Sequence, residues 1–459
     1  MQPHNARIAL LALALLPAGG PPAGVCAQAV EPARLAITGV NVVDVSAGTV
    51  LANRTVVLDG SRVRSIDAGA PPAGATLING TGRFLIPGLW DMHVHLRDAR
   101  APDLLMPQFI AHGVTGVRDM ASDCDGAPAA TAVCAIQMRE WQTQIEAGGM
   151  LGPRILALSS FVVNPPWDFQ ATEERIRQVV QRIRAQGVDL IKIYYRLSPE
   201  AFGWLMDEAT KQGLDVGGHI PIRITATDVS NAGLRSLEHA RDFLFDCFPG
   251  STEFRRTARS QNPPMDVMRA MVEQHDVAQC DAVFRTFVRN GTWYVPTHVT
   301  RRMDAFADDS TFRNDPRSKY IPKPMWQAWN ADADRMVALD PSPDGRRIVR
   351  GFYEKGLAIT GRAHAAGMNI VLGTDAGDSF VFPGSSVHDE LGELVKAGSR
   401  LRRRWRPRRS GRPSSCASRR TTDRSRRASA RTSSCSTRIR SKTSRTRAGS
   451  IRSSSMAVC

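Results

Sequence analysis

Residues 35–86 alternate apolar and polar positions in short pieces, LAITGVNVVDV, TVVLDGSRVRSID and ATLINGTGRFLI, separated by Gly, Asn and Pro. Period-two alternation between turn residues predicts half-buried strands, here the antiparallel strands of a small β-domain. From Pro87 onward the pattern changes to apolar runs separated by longer helical stretches, which predicts parallel α/β units. Eight runs qualify as strands: 89–96, 114–120, 154–160, 189–195, 215–219, 236–239, 292–297 and 369–375. Several follow a helix-ending Gly, as in AHG before Val114, AQG before Val188, RNG before Thr292 and AAG before Met368. Eight such units predict a TIM barrel, with its active site at the carboxyl ends of the strands.

Six polar residues stand at the ends of those apolar runs: His93, His95, Lys192, His219, His239 and Asp375. Burying such groups is costly unless they are paired or bound to metal. His93 and His95, in PGLWDMHVH, sit at i and i+2 on one strand, so both imidazoles share a face and can grip one ion. Lys192 is embedded between isoleucines in DLIKIYY. It is either a snorkelling strand-end lysine or a buried amine, pushed toward its neutral form and able to react with carbon dioxide to a carbamate. His219 closes DVGGH and His239 closes SLEH, where core histidines are the bland alternative to ligands. Asp375, in NIVLGTDAG, is either a ligand or an N-cap.

The PGLWDMHVH segment resembles the first-strand motif of the amidohydrolase superfamily. The likeness covers about 35–398 and is greatest to the imidazolonepropionase-like group that contains Xaa-Pro dipeptidase-type enzymes. The resemblance implies a TIM (β/α)8 barrel with a small N-terminal β-domain, the composite β-sandwich left incomplete by an aberrant C-terminus. It further implies a binuclear centre, with His93, His95, Lys192 and Asp375 on one ion and Lys192, His219 and His239 on the other. The same resemblance implies that Lys192 is the carboxylated bridge and Asp375 the catalytic proton carrier. The implied cofactors are two divalent ions, zinc first, with carbon dioxide for lysine carboxylation. The implied reaction is hydrolysis of a C–N bond in a small amide, a dipeptide or a cyclic amide. The rival is a mononuclear, imidazolonepropionase-like cyclic amidohydrolase in which Lys192 is structural.

Substrate contacts are expected from Tyr194, which shares strand parity with Lys192, and from Arg196, His298, Arg301 and His388. His112 and His364 shortly precede helix-ending glycines and read as ordinary helix C-terminal residues.

Composition changes the picture at the two ends. The chain of 459 residues carries a net charge of +16, yet 399–459 alone holds 20 basic residues against one acid, while 1–398 holds 40 basic against 43 acidic. The basic character therefore belongs to an Arg/Ser-rich tail without apolar periodicity. Read literally, the tail is a disordered arm that could bind nucleic acid or an anionic surface. The reading preferred here is a frame slip near codon 398, because codons for 432–459 can be chosen so that the neighbouring frame encodes DLVLLDANPLEDIANTRRIDPVVVNGRL. That peptide resembles the C-terminal strands of amidohydrolases. The slip would cost the barrel its last helix and leave a poor or inactive enzyme, with no nucleic-acid partner expected.

Residues 1–27 read as an export signal, with Arg7 in the n-region, an apolar run from Ile8 to Pro17 and a cleavage site at Val25-Cys26-Ala27. The expected location is periplasmic or secreted, with no membrane span. Cys124, Cys134, Cys247 and Cys280 remain in the body, where an oxidising compartment permits disulfides. Three pairings are open, of which 124–134 with 247–280 is the chosen one. The domain map is thus 1–27 signal, 28–86 β-domain, 87–398 barrel and 399–459 tail, and a homo-oligomer is compatible with it.

Overall fold

The computed structural model describes residues 34–122, 124, 133–399 and 456–458. The segment 1–27, read above as an export signal, and nearly all of the basic tail lie outside the described residues. Strands Arg34–Asp44, Thr49–Asp59 and Arg62–Asp67 pair antiparallel in chain order. Their first turn is set by Asp44, whose Oδ1 accepts from the backbone N–H groups of Ser46 and Ala47. Alternate positions Ile37, Val56 and Leu85 bury a small apolar core with Val40 and Val42.

One expectation fails in this domain. Thr76–Asn79 and Phe84–Pro87 run parallel, not antiparallel, to Arg34–Asp44. The other edge of that first strand is already taken by Thr49–Asp59, so the Pro- and Gly-containing link 68–75 crosses back before the chain pairs again. Met456–Val458 adds antiparallel to Phe84–Pro87.

The remainder is mixed α/β with parallel sheets. Leu89–Val94, Val114–Asp119 and Arg154–Ala157 form one sheet of three. Ser159–Val163, Leu190–Ile193, Asp215–Gly218, Ser236–Glu238, Trp293–Val295 and Asn369–Ile370 follow in chain order in a sheet of six. The first and last strands meet through backbone hydrogen bonds, Met92 N–H to Leu372 O at 2.9 Å and Asp375 N–H to His93 O at 2.7 Å. Asp91 reinforces that seam, its buried carboxylate accepting from the Thr374 N–H and hydroxyl.

Helices between the strands show why the sequence folds this way. Glu173–Ala185 begins at Thr172, whose hydroxyl accepts from Arg175 N–H, and buries Ile176, Val180 and Ile183 on one face. Pro199–Gln212 has Ser198 as N-cap, proline at its start and Gly213 in the left-handed conformation at its end. A helix, Ser386–Lys396, follows the last parallel strand, Asn369–Ile370, after the connection 371–385. The anticipated loss of a last helix concerns the chain beyond Gly398, of which only Ser399 and 456–458 are described.

Two features lie outside the repeating units. Helix Lys323–Ala338 stands over the carboxyl ends of the strands, anchored by Trp326 and Trp329 against Phe380 and Phe382. Disulfides join Cys124 to Cys134 and Cys247 to Cys280. No helix among the described residues is long and apolar enough to cross a membrane.

Candidate metal centre

His93, His95, Lys192, His219, His239 and Asp375 come from five strand ends and line one cavity of about 660 Å³. The pleat of Leu89–Val94 and its continuation direct His93 and His95 to the same side. Nε2 of His93 lies 3.3 Å from Lys192 Nζ and 3.3 Å from Asp375 Oδ1, and Nε2 of His95 lies 2.8 Å from the same carboxylate oxygen. Nδ1 of His239 lies 3.7 Å from Asp375 Oδ2 and 2.8 Å from the Thr297 hydroxyl. The His219 ring packs between those of His239 and Tyr194, with centroids 4.2 and 4.0 Å away.

Backbone conformation is sacrificed to reach this arrangement. His239 and Asp375 both have left-handed φ, +71° and +68°, as does Thr297 at +47°. Such conformations cost a non-glycine residue roughly 1–3 kcal/mol and persist only where surrounding structure enforces them. Gly218, just before His219, has φ +140°, and a Cβ there would run into the Ile193 carbonyl. Only glycine lets that strand lie so close to the one carrying Lys192.

The electrostatics suit metal binding. Burial, together with Lys192, pushes the His93 imidazole down to about 4, and burial pushes His95, His219 and His239 below the usual histidine range. Four neutral imidazoles result, each with a lone pair to give. Burial works against ionisation of Asp375, but His93 and His95 outweigh it and hold the carboxyl well below its usual range. Burial also lowers the Lys192 amine to about 8. Nδ1 of His219 and Nδ1 of His95 are buried without a hydrogen-bond partner. His93, His239 and Asp375 offer donor atoms within 4.8 Å of one another. The neutral nitrogen and anionic oxygen donors therefore fit a divalent cation.

Of the anticipated substrate contacts, Tyr194 and Arg301 line the cavity. Arg196, His298 and His388 do not. The Arg196 guanidinium lies over the Tyr195 ring, and buried His298 bonds to the Thr360 hydroxyl at 2.9 Å. His388 is turned outward to the His112 carbonyl, 2.9 Å away. Each was placed by proximity to a strand end in sequence, which does not fix the direction of a side chain in the following loop or helix.

Several cavity and support residues were missed. Arg97, Arg241, Gln261, Asn262, Asp304 and Asp378 share the cavity. Arg241 is buried, its Nη2 donating to Gln261 Oε1 at 2.7 Å. Behind the imidazoles, Arg118 and Glu238 pair at 2.8 Å with both side chains almost wholly out of solvent. Burial would raise the Glu238 carboxyl, but Arg118 and His93 overcome it and hold it down to about 2. The signal was legible: an Arg inside GVTGVRDM and a Glu inside SLEH are charges in strands that parallel sheets bury on both faces.

No protein-family model matches the chain. A stretch of 81 residues is 32% identical to the adenine deaminase of Desulforamulus reducens, covering 18% of this chain and 13% of that protein. A stretch of 65 residues is 45% identical to the dihydroorotase of Trichlorobacter lovleyi, covering 14% of this chain and 15% of that protein. The chain thus matches only a small part of these curated relatives. Among solved structures, bottromycin amidohydrolase superposes with a TM-score of 0.59 at 22% identity, over 80% of this chain and 75% of that one. A Xaa-Pro dipeptidase with methionine bound in its active site gives 0.52 at 17% identity, over 80% and 84%. Molinate hydrolase gives 0.52 at 14% identity, over 80% and 82%. What the chain shares with these proteins is their fold.

Proposed function

We propose that a chain with this amidohydrolase fold is a metal-dependent hydrolase that cleaves the C–N bond of a small amide, a dipeptide or N-acyl amino acid foremost. The nine parallel strand segments, with Arg154–Ala157 and Ser159–Val163 taken as one strand interrupted at Leu158, are read as a closed (β/α)8 barrel, a reading supported by the hydrogen bonds between its first and last strands. His93, His95, Lys192 and Asp375 would hold one divalent ion, and Lys192, His219 and His239 a second, with zinc the first choice. When bound, the ions supply Lewis acidity at the scissile carbonyl and a water acidic enough to attack near neutral pH.

The chain's own residues supply the rest. Lys192, lowered to about 8 by burial, offers a neutral amine that adds to carbon dioxide, forming a carbamate and releasing one proton. Asp375 accepts a proton from the attacking water and delivers it to the leaving nitrogen. Tyr194, Arg241 and Arg301, on the cavity wall, would orient the far end of the substrate.

The observation that carries this reading is the approach of Lys192 Nζ to 3.3 Å from His93 Nε2 in a fully buried setting. The test is metal content together with a screen of dipeptides and N-acyl amino acids, with zinc and bicarbonate supplied. Two ions per chain and turnover support the proposal, and a protein that binds none sinks it. A mononuclear centre is the second reading, favoured by the tight donor group His93, His239 and Asp375, which includes neither His95 nor His219.

Export through 1–27 remains our reading of the N-terminus, and two disulfides in the body support an oxidising destination. The frame slip near codon 398 is likewise retained, and resequencing the gene tests it. An intact frame, with no nearby insertion or deletion in close relatives, would overturn it.

A further inference from the structure

We infer that Glu238, held by Arg118, is a positioning residue that fixes which nitrogen of His93 faces the metal. This deepens the metal-dependent reading and rests on it. Glu238 and His93 are fully buried, and Glu238 Oε2 lies 2.9 Å from His93 Nδ1. Arg118 Nη2 donates to both carboxylate oxygens at 2.8 Å, and the Ser236 hydroxyl donates to Oε1 at 2.6 Å. Arg118 is itself anchored, donating through Nε to the Met92 carbonyl at 2.5 Å and through Nη1 to Ser236 at 2.9 Å.

A carboxylate so placed beside a guanidinium has only acceptor capacity. The hydrogen between Glu238 and His93 therefore sits on Nδ1, and the lone pair is left on Nε2. Nε2 is the nitrogen that faces Lys192 and Asp375, each 3.3 Å away. Were the proton on Nε2, that nitrogen could not ligate, and Nδ1 would press its lone pair against an anion.

His95 also meets a carboxylate, through Nε2 at 2.8 Å from Asp375, but that acid is itself a proposed ligand, whereas Glu238 meets His93 from outside the donor set. His239 meets a neutral hydroxyl on Thr297, Nδ1 of His95 has no hydrogen-bond partner, and His219 Nδ1 is 3.8 Å from Asp242, beyond hydrogen-bond reach. The brace also spans the sheet. Arg118 links the strand that carries His93, through Met92 O, to the strand that leads into His239, through Ser236 and Glu238. A brace serving stability alone would hold strands without touching an imidazole of the cavity.

The test is Co2+ titration of the full chain followed by visible absorption, on the wild type and on Glu238→Gln. The expected result is 10–100-fold weaker binding of the ion near His93, the usual cost of losing such an outer partner. Because Glu238→Gln leaves the Arg118 charge buried without its partner, the double variant Arg118→Met, Glu238→Leu is measured beside it, removing both charges at similar volume. It should fold, judged by circular dichroism and a cooperative melt, and bind Co2+ as weakly as the single variant. Long-range proton–nitrogen spectra of 15N-histidine in the wild type should show His93 protonated at Nδ1, assigned by the signal lost in His93→Gln. Wild-type Co2+ affinity in a folded double variant, or an Nε2-protonated His93, overturns the inference while leaving the metal reading intact. Failure of the wild type to bind Co2+ overturns both.

Discussion

Lys192 and His93, 99 positions apart in the chain, bring Nζ and Nε2 to within 3.3 Å of each other. A lysine surrounded by Leu190, Ile191 and Ile193 reaches an imidazole only because parallel strands deliver their carboxyl ends to one place. If the amine becomes a carbamate shared by two ions, Lys192→Ala should reduce bound zinc from two per chain to one. Elemental analysis after gel filtration measures this, and added short-chain carboxylates should restore part of the loss. An unchanged count of one would favour the mononuclear reading.

Asp375 contacts both His93 and His95, and it sits where a proton must travel from water to leaving nitrogen. Asp375→Asn keeps the shape and removes the proton acceptor. Compared at equal zinc content, because the same side chain is a proposed ligand, it should lower kcat by roughly 10²–10⁴-fold, the usual contribution of a positioned acid–base group. Steady-state kinetics on the best substrate from the screen decide it.

Arg301 faces the cavity with Arg241, and it also pairs with Asp304 on the same wall. Arg301→Met should raise KM for substrates with a free carboxylate by roughly ten-fold or more and leave carboxamide-capped analogues unaffected. Equal effects on both would assign Arg301 to the scaffold through its pairing with Asp304.

Much of this site was legible in the sequence, for a physical reason. Ionisable groups in strands that ought to be apolar have few explanations, so His93, Lys192 and Asp375 stood out against their neighbours, and the structure brings them together. Both expected disulfides are formed as well. Less legible were residues whose position depends on loops. His298 and His388 follow strands in sequence, yet one turns into the helical layer and the other out toward His112. The parallel course of Thr76–Asn79 was equally hidden, since alternation reports a buried face and not a direction. Arg118 and Glu238 were overlooked although the same argument applies to them: each satisfies the other's charge, so neither advertises a ligand.

Gly218 predicts a sharp local sensitivity. Gly218→Ala would place a Cβ against the Ile193 carbonyl and force a left-handed residue to carry a side chain. We expect destabilisation of roughly 2–4 kcal/mol, in the upper range for single substitutions, and loss of the ion nearest His219. Urea unfolding with and without zinc measures both.

Glu390 predicts a pH dependence. Burial pushes its carboxyl up to about 8, even though Val299 N–H donates to it. It is therefore protonated in the fold but ionised in the unfolded chain above its ordinary value of 4.5. Its stabilisation is complete below that value and is lost as pH rises toward 8, by about 1.4 kcal/mol per pH unit. Glu390→Gln should flatten this slope. Urea unfolding of both proteins between pH 5 and 8 reads the difference, and parallel curves would refute it.

Helix Lys323–Ala338 brings Asp332, Arg335 and Met336 to the cavity, yet its aromatic anchors form a cluster of their own with Phe380 and Phe382. That cluster rests on the loop that leaves Asp375, and Ser379 in the same loop bonds to Asp332, so a change in the helix reaches the strand end through this one segment. Which molecules are admitted and how firmly Asp375 is held are thus set together, by a single stretch of chain that serves both roof and floor.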